Sequence, residues 1–282
     1  MRTFVIARLT FFEATRRKIL LAALLLGALF LVVYGLGFHY IMVDIEKNFD
    51  SSRMLELNQI RNFLLMAGMY VVNFLTVMMA VLTSVDTLSG EISSGTIQTV
   101  VAKPIRRWEV ISGKWLGFAV MLSLYLLLMG GGVMGLIYLR SGYTAPHPLN
   151  ALAFMLLNAL ILLTVSILGG TSFSTLANGV LVFGLYGVAF LGGWIESVGA
   201  LLPDASTSRT AINIGVITSL IMPSEALWKR AAHDLQSSLV AALGISPFGA
   251  NVYPSSVMIA YAVFYLVAAF ALAVRLFNQR DL

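Results

Sequence analysis

The chain has 282 residues, 59% of them hydrophobic, with 18 Lys and Arg against 13 Asp and Glu. Charged residues make up 11%, where soluble domains carry about 25%, so a soluble globule of this size could not cover its surface. The apolar residues fall in long blocks, which places the chain in a membrane, and the absence of cysteine excludes a disulfide scaffold, thiol chemistry and thiolate metal sites.

In chain order, residues 1–18 form an imperfectly amphipathic segment in which Glu13 and Arg17 can pair at i,i+4, suited to a helix lying in the membrane interface. Residues 19–38 contain no charge. They are longer than the apolar core of a secretory signal and no small-residue cleavage pattern follows Phe38, so they read as a retained first span. The second span covers 62–85, polar at Asn62, Asn73, Thr76, Thr83 and Ser84. A polar loop, 86–115, leads to spans at 116–139, 151–168, 180–198 and 255–276, with Glu196 and Arg275 near the ends of the last two. Each meets the roughly 20 apolar residues that cross a bilayer. Within 199–254, residues 211–222 are too short to span and stop at Pro223, which predicts a re-entrant or interfacial piece. Leu227, Ala231, Leu235 and Leu239 then recur every four residues, with Lys229, Arg230, His233, Asp234 and Gln236 on the other face. This predicts an amphipathic helix over 225–243, capped by Ser224 and ended by Gly244, lying at a membrane surface or on a partner. The expected fold is an all-α membrane protein, a single domain of six transmembrane helices with an N-terminal interfacial helix.

Basic residues orient the chain. With the N-terminus inside, the inner segments hold Arg2, Arg8, Arg16, Arg17, Lys18, Lys103, Arg106, Arg107, Lys114, Arg275 and Arg280. The longer outer segments hold only Lys47, Arg53, Arg61, Arg140, Arg209, Lys229 and Arg230. Positive residues stay in the cytoplasm, so both termini are expected there, and the basic pI of about 9.6 needs no nucleic acid to explain it.

Several chemistries lack their residues. His39, His147 and His233 have no metal-ligand spacing. Gly113-Lys114 is followed by Trp115 and preceded by no glycine at the spacing of a phosphate-binding loop. Gly169-Gly170-Thr171-Ser172 has no evident base for a serine nucleophile. The middles of the six spans hold no Asp, Glu, Lys, Arg or His, which argues against proton-coupled transport. Asn73, Thr76, Asn158, Thr164 and Ser166 are the deep polar residues. They serve either as hydrogen bonds between helices or, for Asn73, Thr76, Asn158 and Thr164, as the polar lining of a path. Gly131 and Gly135, a G-x-x-x-G, predict close helix packing.

The 86–115 loop is the informative segment. Gly90 and Gly95 are expected to bracket a turn, 96–102 to form a brief helix ending before Pro104, and 106–114 to begin a helix that continues into the third span. Two short helices in a charged hairpin suit docking against another protein; a solvated loop carrying positive-inside charges is the plainer account. The pattern from Glu91 through Gly95-Thr96-Ile97, Lys103-Pro104-Ile105 and Arg107-Trp108-Glu109 to Gly113-Lys114 resembles the permease subunits of ABC-2 type exporters. The segment from Leu220-Ile221-Met222-Pro223 to Trp228 resembles, within that superfamily, the branch containing the permease of the nitrous-oxide reductase maturation exporter. The resemblance implies a non-catalytic subunit in the cytoplasmic membrane of a bacterium or archaeon, binding no cofactor itself. ATP and Mg would be held by two copies of a separate ATPase subunit. A second permease copy would complete a homodimer embedded in lipid, and an extracytoplasmic accessory protein is a further expected partner. The hairpin would be the coupling element, with Glu91, Gly95, Thr96, Lys103, Pro104, Arg106, Arg107 and Glu109 as its contacts. The alternative is a membrane scaffold for assembling an extracytoplasmic enzyme, with no cargo path. A path would bring Asn73, Thr76, Asn158 and Thr164 to a shared cavity; a scaffold would bury them between helices.

Overall fold

The computed structural model describes residues 2–16, 18–48, 54–95, 106–199, 205–237 and 254–280. Among them are helices α1 (Arg2–Arg16), α2 (Lys18–Asn48), α3 (Met54–Ser93), α4 (Arg107–Ser141), α5 (Pro148–Gly170), α6 (Thr175–Gly199), α7 (Ala205–Ile221), α8 (Ser224–Leu235) and α9 (Ser256–Gln279), with no strand. Six of these, α2 to α6 and α9, are long and apolar enough to cross a membrane. The segments drawn from composition fall within them or within a residue of their ends.

The helices exceed the membrane they cross. At about 1.5 Å per residue, the 40 residues of α3 reach about 60 Å, roughly twice the hydrocarbon thickness. The 35 residues of α4 reach about 50 Å. The surplus falls largely at their facing ends, where residues 86–93 and 107–115 extend α3 and α4 beyond their most apolar stretches as the arms of a hairpin. That hairpin end also carries α1, the end of α9 and the turn between α5 and α6.

Glycines decide which helices meet. A Cβ on Gly113 would lie 2.6 Å from Ile6 Cβ and 2.9 Å from the Thr3 carbonyl. One on Gly117 would lie 2.7 Å from the Ala7 carbonyl. These two, four residues apart on α4, form the seat of α1, whose outer edge leaves Phe4, Val5, Leu9 and Phe12 exposed. Gly131 and Gly135 meet nothing within 4 Å, so the packing expected of that G-x-x-x-G is not made within the described chain. Helical spacing marks a smooth stripe but does not name its partner.

The segment after the fifth span also departs from expectation. The amphipathic stretch is helical only over Ser224–Leu235; Pro223 is the N-cap, Ser224 lies inside the helix, and the backbone turns extended at Gln236. Leu239, Leu243 and Gly244 lie outside the described residues. Nor is α8 a surface helix: Leu227, Trp228, Ala231, Ala232 and Leu235 are buried, and so are Lys229 and Asp234 of its polar face. α7 and α8 meet at 108°, because Pro223 has no N–H to continue the ladder and biases Met222 away from helix. α7 starts beside the end of α6, with Ala211 against Gly199. α8 ends at the start of α3, where Asn62 Nδ2 donates to the Leu235 carbonyl at 2.8 Å. The pair enters and leaves at the end of the bundle away from the hairpin.

The candidate coupling hairpin

Each arm is finished by its own residues. α3 runs through Gly90, which is helical and packs against Asp86, so Gly90 does not bracket a turn. Gly95 does: its φ of +73° is the left-handed conformation that ends helices. The Ser93 and Ser94 hydroxyls donate back to the Gly90 and Glu91 carbonyls at 3.0 and 3.3 Å; the Gly90 carbonyl also takes the Ser94 N–H at 3.0 Å, while at Glu91 the hydroxyl fills an acceptor that the terminated ladder leaves open. On the other arm Arg106 is extended, and the Glu109 carboxylate accepts its backbone N–H at 2.8 Å. The same carboxylate lies in the first turn, where a negative charge meets the positive end of the helix dipole.

The arms are pinned together by Glu91 and Lys114, whose carboxylate and ammonium are paired, with the side chains 20% and 7% exposed. A pair this sheltered holds its geometry, because parting the charges leaves both poorly solvated. Arg107 turns away from solvent. Its Nη1 donates to the carbonyls of Phe277, Asn278 and Arg280 at 3.4, 3.1 and 2.5 Å, closing the end of α9. Arg280 in turn donates to the Thr171 carbonyl in the α5–α6 turn. That turn is tied to α3: Thr175 Oγ1 donates to Asp86 Oδ1 at 3.0 Å, and Asn178 Nδ2 donates to the carbonyls of Ser166 and Val85 at 2.9 and 3.2 Å. Gly169 leaves room for Asn178, whose Oδ1 lies 2.2 Å from where a Cβ would stand. Gly169–Gly170 is thus a seat for an asparagine.

Of the eight expected contact residues, Thr96, Lys103 and Pro104 lie outside the described residues. Glu91 and Arg107 are engaged within the chain, Glu109 caps its own helix, and Arg106 is exposed. Trp108, part of the motif but not among those eight, stands close to Arg106 with 43% of its surface exposed. A large aromatic next to an arginine on a rigid projection was the available signal, since these residue types dominate binding energy at interfaces.

The four expected path residues are all buried between helices. Asn158 Nδ2 donates to Asn73 Oδ1 at 3.3 Å, and Thr76 donates to the Val72 carbonyl at 2.7 Å. Thr164 accepts from Trp115 Nε1 at 2.8 Å and donates to the Leu160 carbonyl. They do not converge on a cavity in the described chain.

A second polar cluster escaped the sequence reading. Lys229 Nζ donates to Glu196 Oε2 at 2.7 Å, with the two side chains 8% and 13% exposed, fastening α8 to α6. Glu225 lies one turn before Lys229, and its side chain occupies the space a Cβ on Gly193 would need. Trp194 Nε1 donates to the Tyr70 hydroxyl at 3.3 Å, and Tyr70 meets Trp228 edge-on at 5.1 Å.

A family described as ABC-2 family transporter protein matches residues 4–282. The chain belongs to that family. No curated protein matches it closely enough to add a named relative. ABC-2 membrane subunits are transport permeases that work with an ABC ATPase and are not themselves catalytic. A helical, multi-span chain fits that role.

Proposed function

We propose that the chain is the membrane subunit of an ABC exporter and that the hairpin between α3 and α4 is where its ATPase partner docks. The observation that carries this is the continuity of the hairpin with two spans. Its arms are the ends of unbroken helices, locked by Glu91 and Lys114, so a push on it becomes a displacement of both spans and is not absorbed by a loop. Arg106 and Trp108 are the outward-facing groups for the partner, the arginine for carboxylates and the indole for an apolar groove; Thr96, Lys103 and Pro104 are further candidate contacts on the sequence resemblance alone. Two ATPase copies, a second copy of this chain, surrounding lipid and an accessory protein outside complete the assembly. ATP and Mg reside in the partner, and both termini face the cytoplasm of the bacterial or archaeal cell. The 220–228 resemblance points to the nitrous-oxide reductase maturation branch.

Asn73, Thr76, Asn158 and Thr164, buried between helices in a single copy, lend no support to a path lined by them. Export then requires a path between two copies of the chain, along faces that a single copy turns to lipid. The same burial is what favours a second reading, a membrane scaffold for an extracytoplasmic enzyme without cargo. Cross-linking separates the two: bifunctional cysteine reagents on the lipid-facing side of α2 join two copies in the exporter and leave single chains in a scaffold built on one copy.

A further inference from the structure

The hairpin's second arm does more than begin a span. Arg107 is the first residue of α4, directly beside the proposed docking residues, and its Nη1 donates to the Phe277 and Asn278 carbonyls in the last turn of α9 and to the Arg280 carbonyl just beyond it. Those carbonyls are the negative end of a helix dipole with no intrahelical partners. A cation placed there closes the helix and fixes its end to whatever bears the cation. Arg280, just beyond α9, repeats the arrangement on the Thr171 carbonyl. One line of contacts thus leads from the hairpin through Arg107 to α9, and through Arg280 to the turn that starts α6.

We infer that Arg107 is a positioning residue that makes the end of α9 move with the hairpin, and that Arg280 hands the same motion to the α5–α6 turn. This rests on the coupling reading of the hairpin. The shape of the contact tells what can replace it. A single nitrogen meets three carbonyls, so a lysine ammonium with its three donors restores much of the link. Alanine restores none, and the exposed neighbour Arg106 has no part in it.

The absence of cysteine makes the test clean. In nanodiscs with the chain alone, amide exchange in the last turn of α9 rises roughly tenfold in Arg107→Ala, stays near wild type in Arg106→Ala, and falls most of the way back in Arg107→Lys. In the complex with its ATPase, isolated from source membranes, spin labels are placed at Ser94→Cys and Asn278→Cys. With Arg107 present they keep one narrow distance with and without ATP and vanadate. With Arg107→Ala the distance broadens and shifts on trapping, and Arg107→Lys narrows it again, while co-purification of the ATPase shows that all variants assemble. Unchanged exchange, or a distance as narrow and fixed in Arg107→Ala as in wild type, overturns this inference and leaves the coupling reading standing. A second label pair, Ser94→Cys with His147→Cys, reads the hairpin against the far end. If it shows no response to ATP in the wild-type background, the coupling reading falls and this inference falls with it.

Discussion

Replacing Glu91 by alanine should open the hairpin, and the size of the effect follows from what is left behind. Lys114 keeps its ammonium in a site only 7% exposed, with no carboxylate to answer it. Removing one partner of a buried pair costs about 3–5 kcal/mol. Because Glu91 itself is 20% exposed, water reaches part of the site and the low end, about 3 kcal/mol, is the better figure. At about 1.4 kcal/mol per factor of ten, the arms should part roughly 150-fold more often. Trypsin reads this directly, because Arg106 and Arg107 lie at the start of α4 and become cleavable when the arm frays. The fragment produced by cleavage there should appear roughly 100-fold faster in Glu91→Ala when opening is fast relative to cutting. Glu91→Met with Lys114→Met should return to within roughly tenfold of wild type, since replacing both charges by apolar groups removes the stranded one. If Glu91→Ala cleaves at the wild-type rate, the pair does not hold the arms, and the rigidity on which coupling depends is lost.

Four further outcomes follow from the same geometry. Lys229→Met should destabilise the folded chain by about 3 kcal/mol in an SDS-titration unfolding assay by stranding Glu196, and Glu196→Gln with Lys229→Met should recover most of it. Gly117→Leu should dislodge α1, because even a Cβ would lie 2.7 Å from the Ala7 carbonyl, at a cost of about 1–3 kcal/mol and with faster proteolysis of residues 2–16. Gly131→Leu, where nothing lies within 4 Å, should leave that stability unchanged. Asn158→Leu should cost only about 0.6–1.7 kcal/mol by thermal melt, the range for hydrogen bonds between membrane helices, with no effect on transport beyond that loss.

What the sequence disclosed and what it hid have physical causes. Composition and block length suffice for six spans, because crossing a bilayer demands about 20 apolar residues in a row, and that demand is local. The break at Pro223 was legible for the same reason, since proline acts on its own backbone. The contacts that organise the hairpin and the α6–α8 junction are not local: Glu91 finds Lys114 across 23 positions and Arg107 finds Arg280 across 173 at the hairpin, and Lys229 finds Glu196 across 33 at the junction. No periodicity reports such pairings. Lys229 and Asp234 were misleading, because a polar helix face at the right spacing reads as solvated, and only the packing of α8 against α5 and α6 turns it inward. Gly113 was weighed as half of a phosphate loop, and its service as the seat of α1 became visible only with Ile6 and Thr3 against it. Trp108 belongs to the motif, but only its exposure beside Arg106 singles it out as a contact residue.

The most direct test of hairpin docking is the binding of the ATPase subunit to this chain in nanodiscs, with its turnover measured alongside. Wild type is compared with Arg106→Ala combined with Trp108→Ala, two exposed residues whose loss leaves the described fold intact. Docking at the hairpin predicts that the wild-type chain binds the ATPase and changes its turnover, and that the double variant, folded and as resistant to trypsin elsewhere, loses at least tenfold in affinity together with that change, the loss expected when an interface anchor is removed. Equal binding and equal turnover for both chains would contradict it and place the ATPase contact elsewhere on the molecule.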